Sequence, residues 1–286
     1  YMLFPASLLF FLKGLQSRRY IYAFFIGLIS AVFSYALTSI AFNLLLWLVF
    51  FYTSIFYIFT SADKRKRLFV INFFCLTLFY FCLVNIWWIG QIFSYVYTGS
   101  FSVVEQTSFS SDKNIEIFTS LSNRLGNLIY LLRFEHATFF GPDSGIEWVI
   151  LYKFPPVVFF CFVISLLIFL PLFLRRKNSS VLYLGVLSIL SIFMSKGNNP
   201  PFGELFNFTF IKFSFLQALR NAFEKFGFLL QLACSSLFAF GVYTIHEKIN
   251  KKLKKFLYLI VLLWLVVIFG FPYWTGLIFT GSEIPI

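Results

Sequence analysis

The chain has 286 residues, of which 60% are apolar, 12% are charged and 45 are phenylalanine. One core of this size cannot bury so many large apolar side chains, so the composition excludes a soluble globular domain. The formal net charge of +12 reflects 23 Lys and Arg against 11 Asp and Glu. Because the basic residues fall in short clusters between apolar runs, they indicate anchoring to anionic membrane lipids, and we expect no nucleic-acid partner.

The apolar runs are long enough to cross a membrane. A spanning helix needs roughly 20 apolar residues, and the sequence supplies about eight such segments, the first of them truncated. They lie near residues 1–12, 20–38, 41–60, 68–90, 154–174, 180–195, 224–245 and 256–278. We therefore predict an all-α fold, a polytopic transmembrane helix bundle that forms a single domain over residues 1–286.

Four basic clusters predict which loops face the cytoplasm. They comprise Lys13 with Arg18 and Arg19, residues 64–67, residues 175–177, and the lysines of 248–255, and they hold 15 of the 23 basic residues. Lys and Arg in short loops mark the cytoplasmic side of a membrane. The outer loops 91–153 and 196–223 and the C-terminal tail are therefore predicted to be extracytoplasmic, together with nine of the eleven acidic residues.

The first outer loop is predicted to carry an amphipathic helix that lies at the membrane interface. Asp112 can cap this helix, and a set of apolar residues follows it at the helical period. These residues are Phe118, Leu121, Leu125, Leu128, Ile129 and Leu132. A helix with one apolar and one polar face lies in the plane of the interface rather than across the bilayer.

The second outer loop begins with a turn-rich segment, Lys196 to Glu204, that contains Pro200 and Pro201. The Phe-rich stretch 205–216 that follows is too short and too polar to span. We interpret it as an interfacial or re-entrant segment. It leads to the polar octapeptide 219–226, Leu-Arg-Asn-Ala-Phe-Glu-Lys-Phe, at the entrance of the next apolar run.

The octapeptide has the chemistry of a phosphate-binding site. Arg220 and Glu224 are four residues apart and share a helix face, and Asn221 and Lys225 form a parallel row. Arg offers a planar fork, Lys a point charge and the helix N-terminus unpaired N–H groups, so a lipid phosphate or pyrophosphate is the favoured ligand. In the alternative interpretation, Arg220 and Glu224 form a local ion pair and Lys225 reaches the outer headgroups.

The octapeptide follows a Gly-Asn-x-Pro-Pro-x-Gly turn at 197–203, and this combination resembles the multi-pass glycosyltransferases of the C superfamily (GT-C). It is similar in particular to the mycobacterial-type arabinofuranosyltransferase family and its prokaryotic relatives. The resemblance extends to Asn-Ile-Trp-Trp at 85–88 and to residues 123–133. Asn85 itself, as a polar residue within a span, is also expected to hydrogen-bond between helices.

The resemblance implies a sugar donor linked to polyprenyl phosphate and a glycan or lipid acceptor in the cell envelope, outside a prokaryotic plasma membrane. Stabilising the leaving lipid phosphate requires cationic groups. Arg220 and Lys225 are expected to hold it, with Arg133 as a helper, while Asn221 and Glu224 orient them.

Glycosyl transfer with inversion also needs a carboxylate that takes the acceptor's proton. In the family that the chain resembles, this carboxylate lies in the first extracytoplasmic loop. That loop would precede Tyr1, so we expect the chain to be a fragment lacking its N-terminal part. The outer carboxylates of the chain have no partner at a diagnostic spacing: Glu105, Asp112, Glu116, Glu135, Asp143, Glu147 and Glu204. Glu135 with His136 is the pair that could bind a divalent metal or move a proton. A hydrogen-bonded loop histidine is the favoured interpretation of these two residues, since no metal-ligand motif is present.

Two other function classes remain open. A transporter or lipid-carrier flippase would need charged residues deep within the spans and helices that break near the midplane. A non-catalytic membrane scaffold is the remaining alternative, and the sequence upstream of Tyr1 would separate it from an enzyme.

Overall fold

The computed structural model describes residues 3–32, 40–97, 119–123, 125–134, 150–212, 222–249 and 252–276. These residues contain no β-strand, which confirms the predicted all-α class. The helices in chain order are α1 (Leu3–Ser17), α2 (Ile21–Val32), α3 (Ile40–Thr60), α4 (Lys64–Val84), α5 (Ile86–Tyr97), α6 (Leu128–Arg133), α7 (Ile150–Lys153), α8 (Pro155–Leu174), α9 (Ser179–Lys196), α10 (Gly203–Lys212), α11 (Ala222–Lys248), α12 (Lys252–Phe269) and α13 (Phe271–Trp274).

Among the described residues, five helices are long and apolar enough to cross a membrane, namely α3 from Phe42 onward, α4, α8, α9 and α11. They expose large apolar side chains, for example Leu166 and Phe173 on α8. Exposed apolar side chains along a span are what contact with lipid requires. The chain is therefore a multi-pass membrane protein.

Contacts divide the chain into two compact units, and the first comprises Tyr1–Phe118 and Thr209–Arg220. In it α2 packs along α4, and α1 packs against α2. Aromatic rings fill the core: Phe11 stacks on Phe50 with ring centroids 4.3 Å apart, and the centroid of Phe73 is 5.2 Å from that of Phe11. Stacked and tilted aromatic pairs stabilise a core beyond the area that they bury.

A fully buried asparagine separates α4 from α5, where the sequence predicted one continuous segment. Asn85 Nδ2 donates to Ser30 Oγ at 2.7 Å and to the Phe81 carbonyl at 2.9 Å, and Asn85 Oδ1 accepts from Trp88 Nε1 at 2.9 Å. Ser30 lies on α2. Asn85 thus joins two helices, which confirms the expectation of an interhelical hydrogen bond.

Replacing Asn85 with alanine is expected to lower the free energy of unfolding by about 1–3 kcal/mol, because Trp88 Nε1 loses its acceptor and the buried Ser30 Oγ keeps only its bond to the Gly27 carbonyl. Thermal unfolding in detergent measures the change. The matched control is Asn72→Ala on α4, where the side chain is exposed, and we expect a change within about 0.5 kcal/mol. Equal destabilisation by both substitutions would contradict the proposed role of Asn85.

The second unit comprises Thr119–Phe208 and Asn221–Ile286. In it α9 packs along α11, and α8 packs against α11 and α6. Four of its helices share one hydrophobic cluster, formed by Leu131, Ile168, Val181, Leu230, Cys234 and Leu237. The backbones of α8 and α11 approach so closely at Gly241 that a Cβ there would overlap the Leu167 carbonyl oxygen. Small residues permit such approaches between membrane helices.

The helix predicted in the first outer loop is interrupted in the part that the structure describes. Residues 119–123 are helical, Gly126 and Asn127 are not, and α6 follows. The physical reason is a new helix start, since the Asn127 side-chain oxygen accepts from Ile129 N at 2.9 Å and caps α6. Leu125 is buried whereas Ile129 is 58% exposed, so the apolar residues do not form one stripe. Residues 112–118 of this prediction lie outside the described residues.

Among the described residues, the segment after the second turn is helical over α10. The interfacial or re-entrant character of 205–216 stays a prediction. Phe206 is buried, while Leu205 and Phe208 are more than half exposed. Residues 213–221 lie outside the described residues.

Candidate functional site

Two segments of the second unit that the sequence predicts to be outer loops meet in a polar contact. We call this contact the loop junction, and it is formed by Ser122, Gly126 and residues 196–199. Ser122 Oγ accepts from Asn198 N at 2.9 Å, and the Ser122 carbonyl accepts from Asn199 Nδ2 at 2.6 Å. Asn199 Nδ2 also donates to the Lys196 carbonyl at 2.9 Å. Ser122 and Asn198 are 76 positions apart in the sequence, so these bonds fix one loop against the other.

Two glycines make the loop junction sterically feasible. A Cβ at Gly126 would overlap the Lys196 carbonyl, and a Cβ at Gly197 would overlap Ser122 Oγ. Gly197 also has a φ of 59°, in the left-handed region that favours glycine. The close approach of the two loops therefore depends on the absence of side chains at both positions.

Lys196, the last residue of α9, is a buried cation. Its side chain is 3% exposed, and Nζ donates to the carbonyl oxygens of Asn199 at 2.7 Å and Gly197 at 3.4 Å. Nζ also lies 4.9 Å from the centroid of the Phe193 ring. No carboxylate of the described residues forms an ion pair with it. Carbonyl dipoles, the ring face and the negative end of the α9 dipole therefore compensate the charge.

Further polar atoms lie in the last two turns of α9 and in the turn after it. Within the part of the chain that the structure describes, Ser191 Oγ, Ser195 Oγ and Asn198 Oδ1 are buried and make no hydrogen bond. Buried polar groups normally have a partner. The end of α9 thus combines a buried cation with hydrogen-bonding capacity that the described protein groups do not use.

Arg133 is held at the end of α6. Its Nη2 donates to the Tyr152 carbonyl at 3.1 Å, and the side chain is half-buried. The preceding residues fasten α6 to the second unit, because Leu131 enters the hydrophobic cluster and the Leu132 carbonyl accepts from Ser165 Oγ. The predicted helper cation therefore has a defined position.

The described part of the octapeptide forms the first turn of α11. Ala222 and Phe226 are buried, Lys225 is half-buried and Glu224 is exposed. Phe223 packs against the same hydrophobic cluster as Leu131, so the helices that carry Lys225 and Arg133 share one core. Arg220, Asn221, Glu135 and His136 lie outside the described residues. The pairing of Arg220 with Glu224 and the role of Glu135 with His136 therefore stay predictions.

Sequence reasoning did not select Lys196, Ser122 or Gly126. A lysine followed by glycine at the end of an apolar helix is an ordinary helix stop, so the sequence does not indicate that Lys196 is buried. Ser191 and Ser195, four residues apart on the buried face of α9, are the sequence feature that could have indicated a polar site at the end of this helix. Among the described residues, no three His, Cys, Asp or Glu side chains gather in a way that could hold a metal ion.

The chain was also compared with known proteins. It matches no family model, no curated protein and no solved structure. The resemblance to GT-C glycosyltransferases consequently depends on the short motifs at 85–88, 123–133, 197–203 and 219–226 alone.

Proposed function

We propose that the chain is an integral membrane glycosyltransferase or the transmembrane part of one. It would transfer a sugar from a polyprenyl-phosphate donor to a cell-surface glycan or lipid acceptor. The observation that carries the proposal is the loop junction, because it joins two of the segments on which the GT-C resemblance depends. Segments that are remote in sequence and meet at one polar contact are typical of a functional site.

The proposed topology has about eight transmembrane segments in a prokaryotic plasma membrane, with the loop junction on the extracytoplasmic side. Its support is the alternation of connections among the described helices. The connections α8–α9 and α11–α12 are short and basic, and the short connection α3–α4 is followed by the basic first turn of α4. The chain between α5 and α8 and between α9 and α11 is longer and carries most of the acidic residues.

The proposed reaction breaks the bond between the sugar's anomeric carbon and the phosphate oxygen while the acceptor oxygen forms a bond to the same carbon. The bonding electrons remain on the phosphate, and cationic side chains stabilise that negative charge. Arg220, Lys225 and Arg133 take this role. The acceptor's proton passes to a carboxylate. Lys196 acts as a positioning residue that holds the turn 197–199.

The charges within the five candidate spans favour this proposal over a transporter. They lie in the first or last turn of their helices: Lys64 to Arg67 on α4, Lys196 on α9, and Glu224, Lys225, Glu247 and Lys248 on α11. A transporter that moves ions or protons generally carries ionisable residues near the midplane. The helix-end charges are instead suited to a ligand headgroup at the membrane surface.

Polyprenyl-phosphate binding tests the proposal. We expect Arg220→Ala and Lys225→Ala each to weaken the affinity of the purified full chain by about tenfold or more, because each removes a charge-assisted contact with phosphate. Affinity is measured by titration in detergent, and thermal unfolding verifies that each variant folds. The control is Lys252→Ala, which removes an exposed charge at the start of α12. Unchanged binding in both variants would refute the phosphate site.

A further inference from the structure

The connection between α8 and α9 forms a pocket that the proposed function does not use. Six consecutive residues, Phe173 to Asn178, line a volume of about 460 Å³. The turn is closed by the Asn178 N–H, which donates to the Arg175 carbonyl at 2.8 Å. The Asn178 side chain then caps α9 by accepting from Ser180 N at 2.9 Å. The pocket is therefore built from an ordered turn between two candidate spans.

One of its three cations is already neutralised. Arg175 forms an ion pair with Glu247 of α11, and its guanidinium lies 4.9 Å from the centroid of the Tyr243 ring. These contacts fasten the turn to the neighbouring helix. They also occupy the one carboxylate that pairs with this turn among the described residues.

The other two cations have no such partner. Arg176 and Lys177 are exposed, and no ion pair of the described residues involves either of them. Two adjacent uncompensated positive charges beside the N-terminus of α9, where the helix dipole is also positive, attract an anion. Arg supplies the planar fork and Lys the point charge that suit phosphate oxygens.

The pocket also has an exposed apolar wall. Phe173 is 79% exposed and Leu174 is 44% exposed, and both end the candidate span of α8. A soluble anion would leave these side chains without a partner, whereas the acyl chains of a lipid would cover them. The exposed apolar side chains therefore favour a ligand that has both a charged headgroup and an apolar part.

We propose that this pocket binds an anionic phospholipid of the adjoining leaflet. Arg176 and Lys177 contact its phosphate, and Phe173 and Leu174 contact its acyl chains. This site is independent of the proposed glycosyltransferase function, because it lies at the opposite end of α9 from Lys196.

Native mass spectrometry of the full chain, titrated with phosphatidylglycerol, tests the site. We expect the double variant R176Q/K177Q to raise the dissociation constant about tenfold, because it removes both charge-assisted phosphate contacts. The matched control K64Q/R65Q removes one Lys and one Arg charge from the start of α4. It is expected to change the dissociation constant by less than about twofold. Unchanged affinity in R176Q/K177Q, or an equal loss in the control, would overturn the proposal in favour of diffuse charge attraction.

Two further binding measurements use the unmodified chain and identify the class of ligand. Phosphatidylcholine with the same acyl chains is expected to bind about tenfold more weakly than phosphatidylglycerol, because its headgroup carries no net charge. Equal affinities would overturn the assignment of an anionic headgroup. Inorganic phosphate at millimolar concentration is expected to leave phosphatidylglycerol bound, and displacement would assign the pocket to a soluble phosphate instead.

Discussion

Replacing Lys196 with glutamate is expected to lower the free energy of unfolding by about 3–5 kcal/mol, the cost of an uncompensated buried charge. In the native structure the ammonium group donates to the carbonyl oxygens of Asn199 and Gly197. A carboxylate at the same place would present negative oxygens to those carbonyls and to the negative end of α9. The substitution therefore opposes every contact that now compensates the charge.

Thermal or denaturant unfolding in detergent measures the effect of Lys196→Glu. The control, Lys252→Glu, makes the same charge change at an exposed position and is expected to cost less than about 1 kcal/mol. A second variant, Lys196→Met, keeps the apolar stem and loses only the ammonium hydrogen bonds, so a loss of about 1.5–3 kcal/mol is expected. If Lys196→Glu and Lys252→Glu destabilise equally, the burial of Lys196 has no energetic role.

Replacing Gly126 with alanine is expected to open the loop junction and to lower the free energy of unfolding by about 2–3 kcal/mol. The new methyl group would overlap the Lys196 carbonyl oxygen, a backbone atom at the end of α9 that cannot rotate away. Relief of the overlap requires the two loops to separate. This separation would break the bonds from Asn198 and Asn199 to Ser122.

Gly227→Ala is the matched control for this substitution. Gly227 lies within α11, and a Cβ there would meet no atom within 4 Å. Alanine is the better helix former, so Gly227→Ala is expected to leave stability unchanged or to raise it by up to about 1 kcal/mol. Opposite signs for the two glycines would support the close contact at Gly126, whereas no loss at Gly126 would contradict it.

Local patterns predicted much of the helical framework. The predicted segments 180–195 and 224–245 correspond to α9 and α11, whose observed ends differ by at most three residues. Apolar runs between basic clusters specify these helices without long-range contacts. Pro155 and Pro156 likewise begin α8, because proline is tolerated where the first N–H groups have no helical partner.

The loop junction could not be predicted in the same way, because its specificity is entirely long-range. Nothing near Ser122 indicates that its hydroxyl accepts from Asn198, and Gly126 has the same appearance as any turn glycine. The break at Asn85 is similar, since the buried Ser30 that it contacts belongs to another helix. Periodicity identifies which face of a helix is apolar but not which polar atoms meet across a bundle.

Photo-cross-linking tests whether the cationic segments that we propose to be extracytoplasmic bind the phosphate of a polyprenyl lipid. A polyprenyl phosphate with a photoreactive group close to the phosphate is irradiated with the full chain in lipid nanodiscs, and the adducts are mapped by mass spectrometry. Adducts are expected within 123–133, 196–203 and 219–226. An excess of unlabelled polyprenyl phosphate is expected to prevent them. Adducts concentrated at 173–178, or spread evenly over the apolar helices, would contradict this proposal.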